Sequence, residues 1–254
     1  MRRNKLTYLM ALFVLSFSSM THAQVDNTKL EADQAFIEGR YTEAVELYEG
    51  LLSKEYVSAE LHYNLGNAYF KSNQVASAIL HYERALKLAP NDEDIQFNLK
   101  LANLSIKDKV EDIPQLFFIN WWNTVIKTFT TDGWAWHAVI AFAIGLLGFL
   151  IFRFSSEEAM KRLTFYAGVL SIVWGVFSVY AAQKNFIHAV NDDRAVVFAT
   201  TVTAKSAPDK KGKDLFVIHE GLVVTVSDEL NGWVRIKLSN GDVGWIQKEA
   251  VELI

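Results

Sequence analysis

With no cysteine, the side chains best suited to acid–base or metal chemistry in this 254-residue chain are six histidines and a scatter of carboxylates. Thiolate nucleophiles, thiolate metal sites, disulfides and a lipidated cysteine anchor are excluded together. The histidines are dispersed: His22 lies near the start, His62 and His81 on helix-patterned stretches, His137 in a long apolar run, and His188 and His219 further on. No two of them combine with carboxylates at metal-ligand spacing. With no convergent nucleophile, base and orienting group, the expectation is a protein that is not an enzyme and holds no metal or cofactor. The formal net charge of −4 lacks the basic footprint of a nucleic-acid binder, so a DNA or RNA partner is not expected.

What remains is recognition, and the elements that would display recognising side chains are periodic. Gly39 and Asn73, Ala44 and Ala78, and Tyr48 and Tyr82 are each separated by 34 residues, the period of a two-helix solenoid repeat. The copy at residues 59–92 carries Leu65, Gly66, Ala68 and Tyr69 on its first helix, then Ala78, Tyr82, Ala85 and Pro90. It resembles the tetratricopeptide consensus, with His62 where tryptophan is usual. Small residues at Gly66 and Ala78 let the two helices approach, and Tyr69, Tyr82 and Leu86 fill the space between them. A weaker copy spans 25–58, and 93–107 reads as a capping helix, which completes a repeat module over 24–110. Lys29, Asp33, Tyr63, Asn67 and Phe70 take the first-helix positions that line the concave face of such a stack. They are candidates for a peptide groove, or equally for a solvated face.

Arg2, Arg3 and Lys5 precede an apolar run from Leu6 to Phe17 and small residues ending at Ala23, the layout of a signal peptide over 1–23 cleaved after Ala23. An uncleaved anchor is the alternative, although a run of about 12 residues is short for a bilayer. Residues 133–152 and 163–182 are uncharged for the length of a membrane crossing and are expected as transmembrane helices; a buried hairpin in a soluble protein is the other reading. Arg153, Lys161 and Arg162 in the loop 153–162 place that loop in the cytoplasm and both flanking modules outside. Trp134, Trp136 and Tyr180 suit the headgroup level. Gly145 and Gly148 are spaced by three and do not spell a dimerisation motif. Before the first span, 113–132 reads as an amphipathic helix with Phe118, Ile119, Trp122, Val125, Ile126 and Phe129 on one face, lying in the membrane interface or packing on the repeats.

After a linker at 183–194, the segment 195–254 turns to short β-rich runs. Asn240-Gly241, between Val234, Ile236, Leu238 and Val243, Trp245, predicts a tight hairpin with both turn residues at positive φ. Ser206 and Pro208 after the first strand, Glu220-Gly221 before the central one, and two Gly-Trp pairs resemble a bacterial SH3-like barrel. Trp233 and Trp245 are then either core residues or the lining of a ligand groove. The fold class expected is multidomain α plus β: tetratricopeptide repeats, a two-helix transmembrane hairpin and a small SH3-like barrel.

Taken in order, the leader, the short repeat array, the aromatic stretch FFINWWNTVIKTFTTDGWAW, the hairpin and the SH3-like end resemble the BatE family of the Bacteroides aerotolerance operon. The resemblance covers the whole chain. It implies an inner-membrane protein with both soluble modules in the periplasm, encoded beside a MoxR-type ATPase, with von Willebrand A-domain Bat proteins as partners and a role in aerotolerance or stress response. It carries over no catalytic residues. The expectation is therefore a membrane-anchored scaffold for protein–protein contacts, the alternative being a sensor or binder of cell-wall peptide or glycan through the SH3-like module.

Overall fold

The computed structural model describes residues 27–110, 117–190 and 193–254. The signal peptide expected over 1–23, with His22 and the cleavage point, lies outside these residues. The architecture is multidomain α plus β, with helical repeats, two long apolar helices and a C-terminal antiparallel SH3-like sheet. The described residues divide into two compact units, 117–190 forming one and 27–110 with 193–254 forming the other.

In the first unit, α1 (27–37), α2 (Tyr41–Leu52), α3 (Ala59–Lys71), α4 (Val75–Leu88) and α5 (Glu93–Ser105) are the repeat helices. Their ends follow local chemistry. Ser58 caps α3 by accepting from Leu61 N at 3.0 Å, and Asp92 caps α5 by accepting from Asp94 N and Ile95 N, each satisfying donors the helix leaves orphaned. Gly39 (φ 79°) and Asn73 (φ 64°) close α1 and α3 in the left-handed region, where glycine and asparagine are tolerated. The close approach expected at Gly66 is real: a β-carbon there would lie 2.7 Å from the Tyr82 ring. Tyr48, Leu51, Leu61, Leu65, Ile79 and Tyr82 make the fully buried centre.

The sheet has the order β3-β2-β6-β5-β4-β1-β7, built from β1 (Arg194–Val197), β2 (Thr201–Lys205), β3 (Asp214–His219), β4 (Val223–Leu230), β5 (Trp233–Lys237), β6 (Val243–Gln247) and β7 (Val251–Leu253). Ala195, Val197, Ile218, Val234, Ile236 and Ile246 form its core. The hairpin expectation needs correction. The two-residue turn with both residues at positive φ is Asn231-Gly232, closed by the Leu230–Trp233 pair. Asn240-Gly241 lies in a wider loop closed by Leu238 and Asp242, with Gly241 alone at positive φ, the pattern of three-residue hairpins.

The sheet and the repeats pack as one body. Strand β1 is buried on both faces: Ala195 and Val197 point into the sheet core while Val196, with no exposed surface, belongs to the repeat core. Around it Arg194 pairs with Glu83 of α4 at 2.7 Å, and Arg84 donates to Glu252 and to the Leu253 carbonyl at 3.0 and 2.8 Å. Ile106, just past α5, packs against both cores. Gly221 (φ 86°) makes room for it, since a β-carbon there would lie 2.5 Å from Ile106 Cγ2.

The second unit holds α6 (Phe117–Lys127), α7 (Thr131–Phe154) and α8 (Glu158–Val190). Both long helices are long and apolar enough to cross a membrane. At helical rise the 24 residues of α7 span about 36 Å, against about 30 Å of hydrocarbon. The residues 183–190 expected in a linker continue α8 instead, because nothing from Gln183 to Val190 breaks a helix. Gly145 and Gly148 are consumed inside the hairpin: a β-carbon at Gly148 would meet Thr164 O at 3.2 Å, and Ser171 Oγ donates to Ala141 O at 2.5 Å. Outward, Ile140, Ile144, Leu147, Leu170 and Val173 are exposed, which no water-facing helical pair of this length favours.

Helix α6 also departs from expectation. Its apolar face is split: Trp122 and Ile126 pack on α7 and α8 beside Trp134 and Phe177, while Phe118 and Ile119 stay exposed. Trp134 is buried among the helices, and its indole donates to Ile126 O at 2.8 Å. Asn185 donates to Ile126 O and Phe129 O, tying the end of α6 to α8.

Candidate functional site

The five groove candidates sit on the first helices of the repeats, Lys29 and Asp33 on α1, Tyr63, Asn67 and Phe70 on α3. All five are half-buried. Four of them bond to other helices of the stack. Asp33 Oδ1 accepts from Tyr48 Oη at 2.6 Å and from Asn64 Nδ2 at 3.5 Å. One repeat later, Asn67 Oδ1 accepts from Tyr82 Oη at 2.8 Å and from Asn98 Nδ2 at 3.1 Å, and Asn98 also donates to Tyr63 Oη. The same polar triad therefore recurs at the 34-residue period and stitches each first helix to the next. Lys29 extends the ladder through Glu60 at 2.8 Å and Asp33, and that pairing with Glu60 raises its pKa despite partial desolvation. Burial and the hydrogen bond to Asp33 push the Tyr48 phenol well above its usual range, so it stays a donor.

Sequence reasoning missed Asn64 and Asn98, although their 34-residue spacing was the available signal. It also missed the open part of the same face. Phe97, Leu101 and Leu104 of α5 stand one repeat beyond Tyr63, Asn67 and Phe70 and are 68, 41 and 66% exposed. The floor of the groove thus passes from charged on α1, through polar and aromatic on α3, to apolar and uncovered on α5.

Behind α3, His62 and His81 face each other with Nδ1 atoms 3.0 Å apart, and the His81 ring stacks on both His62 and Tyr69. One nitrogen must carry the proton and the other accept it, so at most one of the two rings can be charged. Burial is the main cause that pulls His62 down to about 4 and His81 to about 3, with Arg84 adding to it and His62 itself opposing charge on His81. Tyr69 donates to the Glu49 carboxylate at the edge of this cluster. The rings pack against one another, and His81 and Tyr69 also line a cleft of about 420 Å³ together with Glu49, Ser77, Arg84 and Glu252.

On the sheet, Trp233 and Trp245 alternate with the buried Val234 and Ile246, so both indoles lie half-buried on the outer face. Trp245 is flanked across the ladder by Arg235 and Lys205. The two tryptophans do not join the groove candidates in one site. A cleft of about 590 Å³ opens where the α3–α4 turn, Ile106 and the β1–β2 loop meet, lined by Asn73, Gln74, Ser77, Thr201 and His219. At its margin Asp108 accepts from the backbone N–H of His219 and contacts the ring at 2.8 Å. Among the described residues no three His, Asp or Glu side chains are grouped to hold a metal ion.

Comparison with known proteins agrees with these two parts of the chain. The tetratricopeptide repeat family model matches residues 59–92, and the bacterial SH3 domain family model matches residues 199–252. No curated protein matches the chain.

Proposed function

We propose that this protein is a membrane-anchored, non-catalytic scaffold that takes a peptide or a partner helix on the concave face of its repeats. The observation that carries the reading is the uncovered apolar stripe Phe97, Leu101 and Leu104 at one end of that face, since contiguous exposed apolar surface marks interaction sites. The tetratricopeptide and bacterial SH3 matches support protein or peptide partners. The hairpin α7–α8 is the anchor. Its basic loop lies in the cytoplasm, and the repeats and sheet lie together in the periplasm of an inner membrane. The likeness to the BatE family adds that the partners are von Willebrand A-domain Bat proteins, in a complex linked to aerotolerance.

The test uses side chains that the stack does not need for itself. Tyr63 and Asn67 hold the repeats together, so they are left intact, and Phe97→Ser, Leu101→Ser and Leu104→Ser are combined in the full chain. Crosslinking in native membranes should recover von Willebrand A-domain partners with the parent and lose them with the variant. Their retention at parental levels, with helicity unchanged, removes the groove from the reading.

A second reading rests on the outer tryptophans of the sheet. Half-buried indoles, that of Trp245 lying between Arg235 and Lys205, are suited to stacking on a wall glycan or peptide, and Trp233→Ala with Trp245→Ala should then abolish co-sedimentation with purified sacculi.

A further inference from the structure

We propose a further function for the SH3-like sheet: it is the structural cap of the repeat stack, so that repeats and sheet fold as one domain into which the membrane hairpin is inserted. Two repeats and a single following helix fall short of the three that such stacks normally need to bury a continuous core. The deficit is on the side of α4, and β1 fills it. A strand on the surface of a small barrel alternates buried and exposed residues, whereas β1 buries Ala195 and Val197 in one core and Val196 in the other. The contact is also electrostatically specified. Glu83 is almost wholly buried on α4 and is met by Arg194 at the start of β1; a carboxylate is seldom buried without such a partner. Arg84 reaches the edge strand beside β1, β7, at Glu252 and Leu253. Ile106 and Gly221 close the remaining side, with the β-carbon position of Gly221 also 3.4 Å from Ile79 Cδ1 inside α4.

The consequence is that the repeat groove acquires its full stability only after the segments on both sides of the hairpin have met. A solenoid repeat that stood alone would be indifferent to a substitution more than a hundred residues away on the outer face of a barrel strand. Here Val196→Asp should open α4. The measurement is amide hydrogen exchange by mass spectrometry on the full chain in detergent micelles, read on peptides from α4. Val196→Asp should speed their exchange at least about tenfold, the response of a segment whose local opening has become easier. Unchanged α4 exchange overturns the proposal, whatever happens to the sheet. Because Val196→Asp can unfold the whole unit, the charge pair supplies the second arm. Glu83→Arg and Arg194→Glu should each speed α4 exchange, and the double exchange of charges should restore it. Silent single variants, or a double variant no better than either single one, overturn it as well.

Discussion

His62 and His81 make the repeat core sensitive to acid. Both are held neutral in the folded chain, at about 4 and about 3, well below the ordinary value for histidine. A group whose folded value is depressed by burial binds its proton better when unfolded. Stability contributed by the neutral pair is therefore complete above about pH 6.5 and is lost as pH falls through the window below it. Each histidine can cost up to about 1.4 kcal/mol per pH unit over that window. Tyr69 and Arg84, the polar groups against the pair, offer no relief: the phenol is committed to Glu49 and the guanidinium repels a second cation. Thermal melts of the full chain should fall steeply between pH 6.5 and 4, and a chain with His62→Phe and His81→Phe should show a shallower slope. Equal slopes would move the acid sensitivity elsewhere.

At the scale of elements, much was legible because one physical signal dominated each stretch. The 34-residue period located the repeats, and uncharged runs located α7 and α8. Where two signals competed, the reading slipped. Asn-Gly occurs twice, and only strand register, with Leu230 opposite Trp233 but Lys237 opposite Val243, distinguishes the tight turn from the wide one. Helix α6 was read as one amphipathic face because spacing cannot say which apolar residues meet protein. Its last turn ends in carbonyls without helical partners, and Asn185 and Trp134 supply the donors. Asn185→Ala should leave the Phe129 carbonyl without this donor and the Ile126 carbonyl with the Trp134 indole alone, at a cost of about 1 kcal/mol. Trypsin cleavage after Lys127, at the exposed end of α6, should accelerate in detergent. If it does not, the aromatic cluster of Trp122, Trp134 and Phe177 holds α6 without help.

For the molecule as a whole, the joint between repeats and sheet was the least legible feature, although its trace lies in the run Ala195-Val196-Val197-Phe198. An unbroken apolar run marks a strand covered on both sides, but nothing in the sequence says that the second cover is a helix coded more than a hundred residues earlier. That joint constrains topology. Since residues before Asp112 and after Asp193 share one packed unit, a hairpin that crosses a bilayer must cross it an even number of times and return the chain to its starting side. The absence of cysteine makes this measurable with single labels on a clean background. Ser53→Cys on the repeats, Ser239→Cys on the sheet and Ser156→Cys between α7 and α8 all replace exposed serines. In intact spheroplasts a membrane-impermeant maleimide should modify the first two at similar rates and reach Ser156→Cys only after permeabilisation. Labelling of Ser53→Cys and Ser239→Cys from opposite sides would break the shared unit. Labelling of all three from outside would mean that α7 and α8 do not span the membrane, leaving them to be covered by another protein instead.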